Sequence, residues 1–498
     1  MKKQLMGILL MAIVCSCTPS VPDKYTAIES LPAITPDYVD VTIPVNIAPL
    51  TFSIKENGDK YVTRLSAGES ELLFAGKEVQ PSAGEWRNLL SKATGNEVKV
   101  EIFSSLNGKW RGYAPFTFKV SPDTIDPYIS YRLIPPSYVA YERLNICQRE
   151  TSSYKEDIIY NNMLVTKEPD GQCINCHAYK NYRTDNMQFH VRQYKGGTLF
   201  VHKGKAFKLN MATDSTLSAG VYPAFNPVYD VVAYSVNRTG QIFHTKNSNK
   251  VEVQDTESDI IIFNPATMTI SNVANDTTKL EVFPWWSPDG RTLYYCSSEF
   301  PDRTGSQTAV EAEIKHYKDV KYSILRRSWN PETCEFGAVD TVFNAAALGK
   351  SATFPRISPN GRYLLFAMAE YGCFHIWHND ADLYIKDLET GECWPLEKAN
   401  SSYAESYHSW SSTGRWIMFA SRRDDTNYSR LYIAHIAENG KAEKAFLLPQ
   451  AGADFYDFFD RSYNVPEFMV EPVKISPQEF ADIIKGDAAT VKYVSLKK

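Results

Sequence analysis

Phe283-Pro284-Trp285-Trp286-Ser287-Pro288-Asp289-Gly290-Arg291, leading into Leu293-Tyr294-Tyr295-Cys296, is the stretch that decides the fold. Two apolar runs flank a turn rich in Ser, Pro, Asp and Gly. That reads as strand, tight turn, strand, because Asp-Gly supplies the positive-φ positions a short hairpin needs. The phrase recurs as Tyr222-Pro223-Ala224-Phe225-Asn226-Pro227, as Phe354-Pro355-Arg356-Ile357-Ser358-Pro359-Asn360-Gly361-Arg362, and as Tyr407-His408-Ser409-Trp410-Ser411-Ser412-Thr413-Gly414-Arg415. Aligned on Pro227, Pro288, Pro359 and Ser412, the units are 61, 71 and 53 residues apart. A propeller blade usually takes ~40–45 residues, so the loops carry insertions. Second hairpins follow, clearest at Asp382-Leu383-Tyr384-Ile385 and Arg430-Leu431-Tyr432-Ile433. Repeated units that cannot bury both faces alone close about an axis as a β-propeller. An earlier unit is expected at Gly197–Val201 with Lys205–Leu209, and a last one around Asp454–Asp457, for about six blades.

These residues resemble the PD40, or WD40-like, repeats of the periplasmic protein TolB. The match rests on Trp286–Arg291, Ile357–Arg362 and Asp382–Ile385 and extends over roughly residues 186–470. The resemblance implies a propeller and leaves function open, since such folds bind, scaffold and catalyse.

Upstream, Cys173-Ile174-Asn175-Cys176-His177 has the spacing of c-type haem attachment. Each thiol would add to a porphyrin vinyl group, and His177 would reach the iron as proximal ligand. His190, thirteen residues on, is the favoured distal ligand, the alternative being a strand histidine bonded to its neighbours. Arg192 is a candidate partner for a haem propionate. The stretch around the motif, residues 136–189, reads as loop-rich. Before it, residues 38–135 show short β segments (Val39–Ile43, Tyr61–Leu65, Glu97–Phe103, Ala114–Val120) separated by turn signals, as in a small β-sandwich, with one helical turn near Trp86.

The N-terminus supplies an export context. Lys2 and Lys3 precede an apolar run, Leu5–Val14, which is too short to span a bilayer and suits a secretory signal. Val14-Cys15-Ser16-Cys17 resembles the lipobox of bacterial lipoproteins, with Cys17 as the lipidated residue. Together, lipobox, CxxCH and PD40 repeats resemble a set of TolB-like lipoproteins of Bacteroidetes.

The resulting fold class is mainly β. A C-terminal β-propeller of about six blades is preceded by a small β-sandwich-like domain and a loop-rich haem-attachment segment. The expected boundaries are signal peptide 1–17, tether 18–37, sandwich 38–135, haem segment 136–189, propeller 190–475 and tail 476–498. With 43 % hydrophobic and 13 % aromatic residues there is ample core material, and a net charge of −5 without a basic run argues against nucleic acid. Among the nine cysteines, Cys373 and Cys393 are the pair to test for a disulfide. His375 and His378, with Asp380 and Asp382, are weighed as metal ligands against a blade edge or polar channel lining, the latter favoured. Arg422-Arg423-Asp424-Asp425 reads as a solvated hairpin tip.

The expected function is electron transfer by a lipid-anchored c-type cytochrome. It would carry covalent haem c, face the periplasm from the outer membrane, and dock a redox or envelope protein. The alternatives are a non-redox TolB-like scaffold or binding protein, in which the Cys pair serves a zinc or redox role or none, and a haem enzyme with an open distal site. An electron carrier or binding protein is favoured over an enzyme.

Overall fold

The computed structural model describes residues 19–135, 143–165, 171–301, 304–306 and 308–496. The expected lipidation site, Cys17, lies outside them.

Six four-stranded antiparallel sheets make the propeller. The first blade is Gln172–Lys180, Arg183–Gln193, Gly197–His202 and Lys205–Asn210. The second is Val221–Phe225, Val232–Phe243, Val251–Asn264 and Thr269–Ala274. The third is Lys279–Trp286, Thr292–Glu299, Ser323–Asn330 and Glu335–Phe343. The fourth is Ser351–Ile357, Tyr363–Ala369, Asp382–Asp387 and Cys393–Pro395. The fifth is Glu405–Trp410, Trp416–Ser421, Arg430–His435 and Phe446–Leu447. The sixth joins the two ends of the chain: its inner strand is Ser462–Met469, and its outer three are Tyr128–Ile134, Asn145–Glu150 and Glu156–Asn161. Each inner strand packs on the next, and the last on the first, so the ring closes.

The repeated phrase is turn chemistry. Ser287 Oγ bonds Asp289 Oδ1 at 2.5 Å and accepts from the Thr292 amide at 2.9 Å, while Gly290 sits at φ 69°. Ser358, Asn360 and Gly361 repeat the arrangement. A side chain at Gly290 would also collide with Asn226, whose Nδ2 donates to the Gly290 carbonyl at 2.8 Å. The Trp286 and Trp410 indoles each donate to a carbonyl of the preceding blade, at Ala224 and Arg356, both at 3.1 Å. The repeat thus specifies both hairpin and blade-to-blade register.

The N-terminal region carries a seven-stranded sheet that includes Lys60–Ala67, Glu97–Leu106 and Phe116–Ser121. Beside it lie a three-stranded sheet and one helix, Ala83–Ala93. The helix runs three turns where one was expected. Ser82 and Glu85 form a reciprocal capping box, and Trp86, Leu89, Leu90 and Ala93 face inward. The core is continuous with the fifth and sixth blades: Trp86 and Phe118 share a cluster with Trp416, Met418, Ile433 and Phe468. Trp416 Nε1 donates to the Asp123 carbonyl, and the Asp123 carboxylate meets Arg415 at 3.0 Å and His435 at 2.8 Å.

Residues 136–189, read from sequence as loop-rich, contain Asn145–Glu150, Glu156–Asn161, Gln172–Lys180 and most of Arg183–Gln193. Blade strands are covered on both faces, so period-two alternation is weak and the stretch looks irregular. The Asp454–Asp457 region is a short helix, Phe455–Phe458, and the last inner strand follows it.

An axial channel plugged by an aromatic collar

All six inner strands break register at one level. The shifts fall between Asn175 and Ala178, Val221 and Ala224, Val282 and Trp285, Thr353 and Arg356, Ser406 and Ser409, and, in the sixth blade, opposite Ser130 and Arg132. At the bulge Tyr222, Phe283, Phe354, Tyr407 and Val465 take positive φ, between 48° and 57°. Such a backbone costs of order 1–3 kcal/mol at a bulky residue and persists only where its surroundings enforce it. Here it forms a collar across the axis. Ring centroids are 4.7 Å apart for Tyr222 and Phe283, 4.0 Å for Phe283 and Phe354, and 5.0 Å for Phe354 and Tyr407.

The CxxCH motif belongs to this pattern. Cys176-His177 occupies the register position of Tyr222-Pro223, Phe283-Pro284, Phe354-Pro355, Tyr407-His408 and Val465-Pro466. His177 is 1 % exposed, neither ring nitrogen has a hydrogen-bond partner, and it borders a space of about 30 Å³ under the collar. Burial holds its pKa down to about 3, and the Arg132 cation adds to the shift. Cys173 and His190 instead line the cavity above the collar. His190 pairs with Thr198 across the sheet, and its Nδ1 lies 3.0 Å from the Thr198 hydroxyl. Burial, then Arg192, lowers its pKa to about 3. The structure therefore gathers Cys173, His190 and Arg192 on one cavity and places His177 on another, with Tyr222, Tyr407 and Val465 bordering both.

The collar divides the channel into two mouths. The upper one, where inner strands begin, holds a cavity of about 410 Å³. The lower one, of about 310 Å³, contains Arg356 stacked 3.9 Å over the Trp285 ring and 3.5 Å from Glu467. Burial raises the Glu467 carboxyl to about 7, with Arg356 pulling the other way.

A long hairpin of the second blade, Val232–Phe243 with Val251–Asn264, roofs the upper mouth and is pinned to the fourth blade. Glu252, 2 % exposed, bonds His378 Nε2 and the Tyr371 hydroxyl, both at 2.9 Å, and the Cys373 thiol donates to the Val253 carbonyl at 3.4 Å. Three sequence expectations change here. His375 and His378 lie on and just after a 3₁₀ turn, His375–Trp377, rather than a strand; His375 bonds Thr353 and Gly372, and His378 bonds Glu252. Cys373 and Cys393 are both free thiols, because Cys373 is buried under the hairpin while Cys393 is exposed on the outermost strand. Arg422 and Arg423 are no solvated tip. Arg422 is 2 % exposed and stacks on Trp377 at 4.4 Å, and Arg423 pairs with Glu405 at 3.0 Å.

Sequence reading missed Arg132, Tyr222, Trp377 and the collar. The aromatic-Pro dipeptide that recurs at Tyr222-Pro223, Phe283-Pro284 and Phe354-Pro355 was the available signal.

The chain is thus a mainly β protein in which residues 128–469 make a six-bladed β-propeller with a plugged axis, rather than the propeller starting at residue 190 expected from the sequence. No protein-family model matches it, and no curated protein does. Among solved structures it is similar to a puromycin-hydrolysing peptidase of Mycobacterium tuberculosis, at 11 % identity over 70 % of this chain and 45 % of that one, TM-score 0.33. The chain therefore spans less than half of that peptidase. It is also similar to an oligogalacturonate lyase in complex with manganese, at 12 % identity over 69 % and 84 % of the chains, TM-score 0.29. A DUF4784 family protein from Bacteroides caccae matches at 6 % identity over 73 % and 95 %, TM-score 0.28.

Proposed function

We propose that this chain is a non-redox, TolB-like binding propeller of the cell envelope, whose ligand sits in the upper mouth. The observation that carries this reading is the 410 Å³ cavity, floored by the collar and roofed by a pinned hairpin. Its size falls within the range of small-molecule sites, and its lining mixes aromatic rings with polar side chains such as Asn175, Asn237, Gln241 and Asn464. Ala219 lines it, so Ala219→Trp fills it without touching the core. Compounds from a small-molecule panel that raise the melting temperature of the wild type are expected to lose that effect in Ala219→Trp. A panel without hits, or hits indifferent to the substitution, would refute the reading.

Haem attachment is the second reading, favoured by the CxxCH spacing and by the unpartnered, buried His177 ring. The residues as folded do not form one porphyrin site. Cys173 and the expected distal ligand His190 open on the upper cavity, whereas His177 faces only about 30 Å³ beyond the collar. The envelope assignment rests on Lys2, Lys3, the apolar run and Cys17. One measurement reads both points, the intact mass of protein purified from a host with lipoprotein and cytochrome c maturation. Acyl chains on Cys17 and no porphyrin on Cys173 and Cys176 are expected. An added porphyrin would reinstate the redox reading, and an unmodified Cys17 would remove the anchor.

A further inference from the structure

We infer that the upper mouth takes an organic anion: a carboxylate, sulfate or phosphate group carried on an aromatic or other apolar body. This rests on the binding reading above and names the ligand's chemistry. Among the described residues the cavity is lined by two guanidinium groups, Arg132 of the sixth blade and Arg192 of the first, and by no Asp or Glu. Arg132 places one nitrogen, Nη1, on the Ile174 carbonyl at 2.9 Å, and its Nε is buried without a partner. Neither guanidinium forms an ion pair among the described residues. Three enclosed arginines elsewhere have a carboxylate, Arg356 with Glu467, Arg423 with Glu405 and Arg430 with Asp425, and Arg149, 2 % exposed, is held instead by Gln450 and the Ser153 and Pro449 carbonyls.

Arg132 is half-buried with its Nε enclosed, and Arg192 is exposed at the rim, so the pair gives the mouth a positive potential that favours an entering anion. The planar fork of Arg matches carboxylate and phosphate oxygens in a bidentate fashion. His190 adds no charge at neutral pH, since burial keeps its ring neutral. With Nδ1 engaged by Thr198, its Nε2 is left to meet the ligand. Trp377 and Tyr222 add aromatic rings to the same lining, which fits a ligand with one charged end and one ring-like end.

The test is calorimetric titration of the mature chain with phenyl phosphate, inorganic phosphate and benzyl alcohol. Phenyl phosphate is expected to bind most tightly, inorganic phosphate more weakly, and benzyl alcohol not measurably. Arg192→Gln, at an exposed position, is expected to weaken phenyl phosphate about tenfold, and Arg132→Gln at least as much, as loss of a charge-assisted pair implies. Arg192→Lys should recover part of the loss. Equal binding of phenyl phosphate and benzyl alcohol, both abolished by Ala219→Trp, would overturn the anion assignment and leave the binding site standing. Phenyl phosphate binding that survives both glutamine variants would also overturn it. No binding of any probe to the wild type would count against both readings.

Discussion

A chain ending at residue 460 is expected not to fold to a stable propeller, in contrast to the full-length chain. The shorter chain lacks the strand Ser462–Met469, which closes the ring by pairing six positions of Tyr128–Ile134, and the helix Pro477–Lys485, which buries Phe480 and Ile484. Removing the strand strips Tyr463, Phe468 and Met469 from the core and deletes Val465 from the collar. At roughly 2–3 kcal/mol per large buried side chain, the three contribute about 6–9 kcal/mol. That is comparable with the whole stability of a typical domain, about 5–15 kcal/mol. The strand Tyr128–Ile134 would then present an open edge to other chains, so the truncated protein should also aggregate. Circular dichroism melts and size-exclusion profiles of the two chains decide the matter. Melting temperatures within about 3 °C of each other would show that closure adds little.

The second large effect is acid unfolding. His177, His190, His375 and His408 are each 5 % exposed or less, and burial holds every one near 3, well under the ordinary 6.5. A depressed imidazole means that the unfolded chain binds a proton below about pH 6.5 that the native chain refuses until about pH 3. These groups therefore destabilise as pH falls through that window. Buried carboxyls act the other way, and desolvation raises Asp126, Glu405 and Asp424 among them. Burial raises Asp255, Glu281 and Glu467 to about 7, and Asp259 and Asp382 to about 6. On acidification the native state takes protons on them before the unfolded chain does, which stabilises it down to about pH 4. The two sets offset between about pH 6.5 and 4.5. Below about pH 4 the raised carboxyls are protonated in both states, and the imidazoles discriminate together with carboxylates that, despite desolvation, their partners hold low, Glu101, Asp123, Asp289 and Asp387 among them. The four imidazoles at about 1.4 kcal/mol per pH unit contribute about 5 kcal/mol per pH unit to the slope. The urea midpoint is expected to stay nearly level from pH 6.5 to 4.5 and to collapse between pH 4 and 3, with His408→Gln removing about 1.4 kcal/mol per pH unit from the acid slope. A steady decline starting at pH 6.5 would show that the carboxyls do not offset the imidazoles.

The imidazoles and the collar also explain why the candidate site was only partly visible beforehand. Cys173, His190 and Arg192 were singled out for haem, and the structure does bring them to one cavity. Arg132, which meets them there, lies some forty residues upstream of Cys173 on another blade, and nothing in its own surroundings marks it. Trp377 and the Glu252–His378 pair meet only because two long loops fold over the same mouth.

Amino-acid order alone determined the hairpins and their repetition. A Ser-Pro-Asp-Gly-Arg turn is made by side chains two to five residues apart, so the information is complete within each short stretch. Ring closure was decided only in three dimensions, because its two partners are more than three hundred residues apart and each is an ordinary apolar strand by itself. The same holds for Cys173–His177. Its spacing is local, but whether those residues converge on one ligand or straddle a bulge depends on the sheet that pairs with them. That sheet placed the two sides of the motif on opposite sides of an aromatic wall.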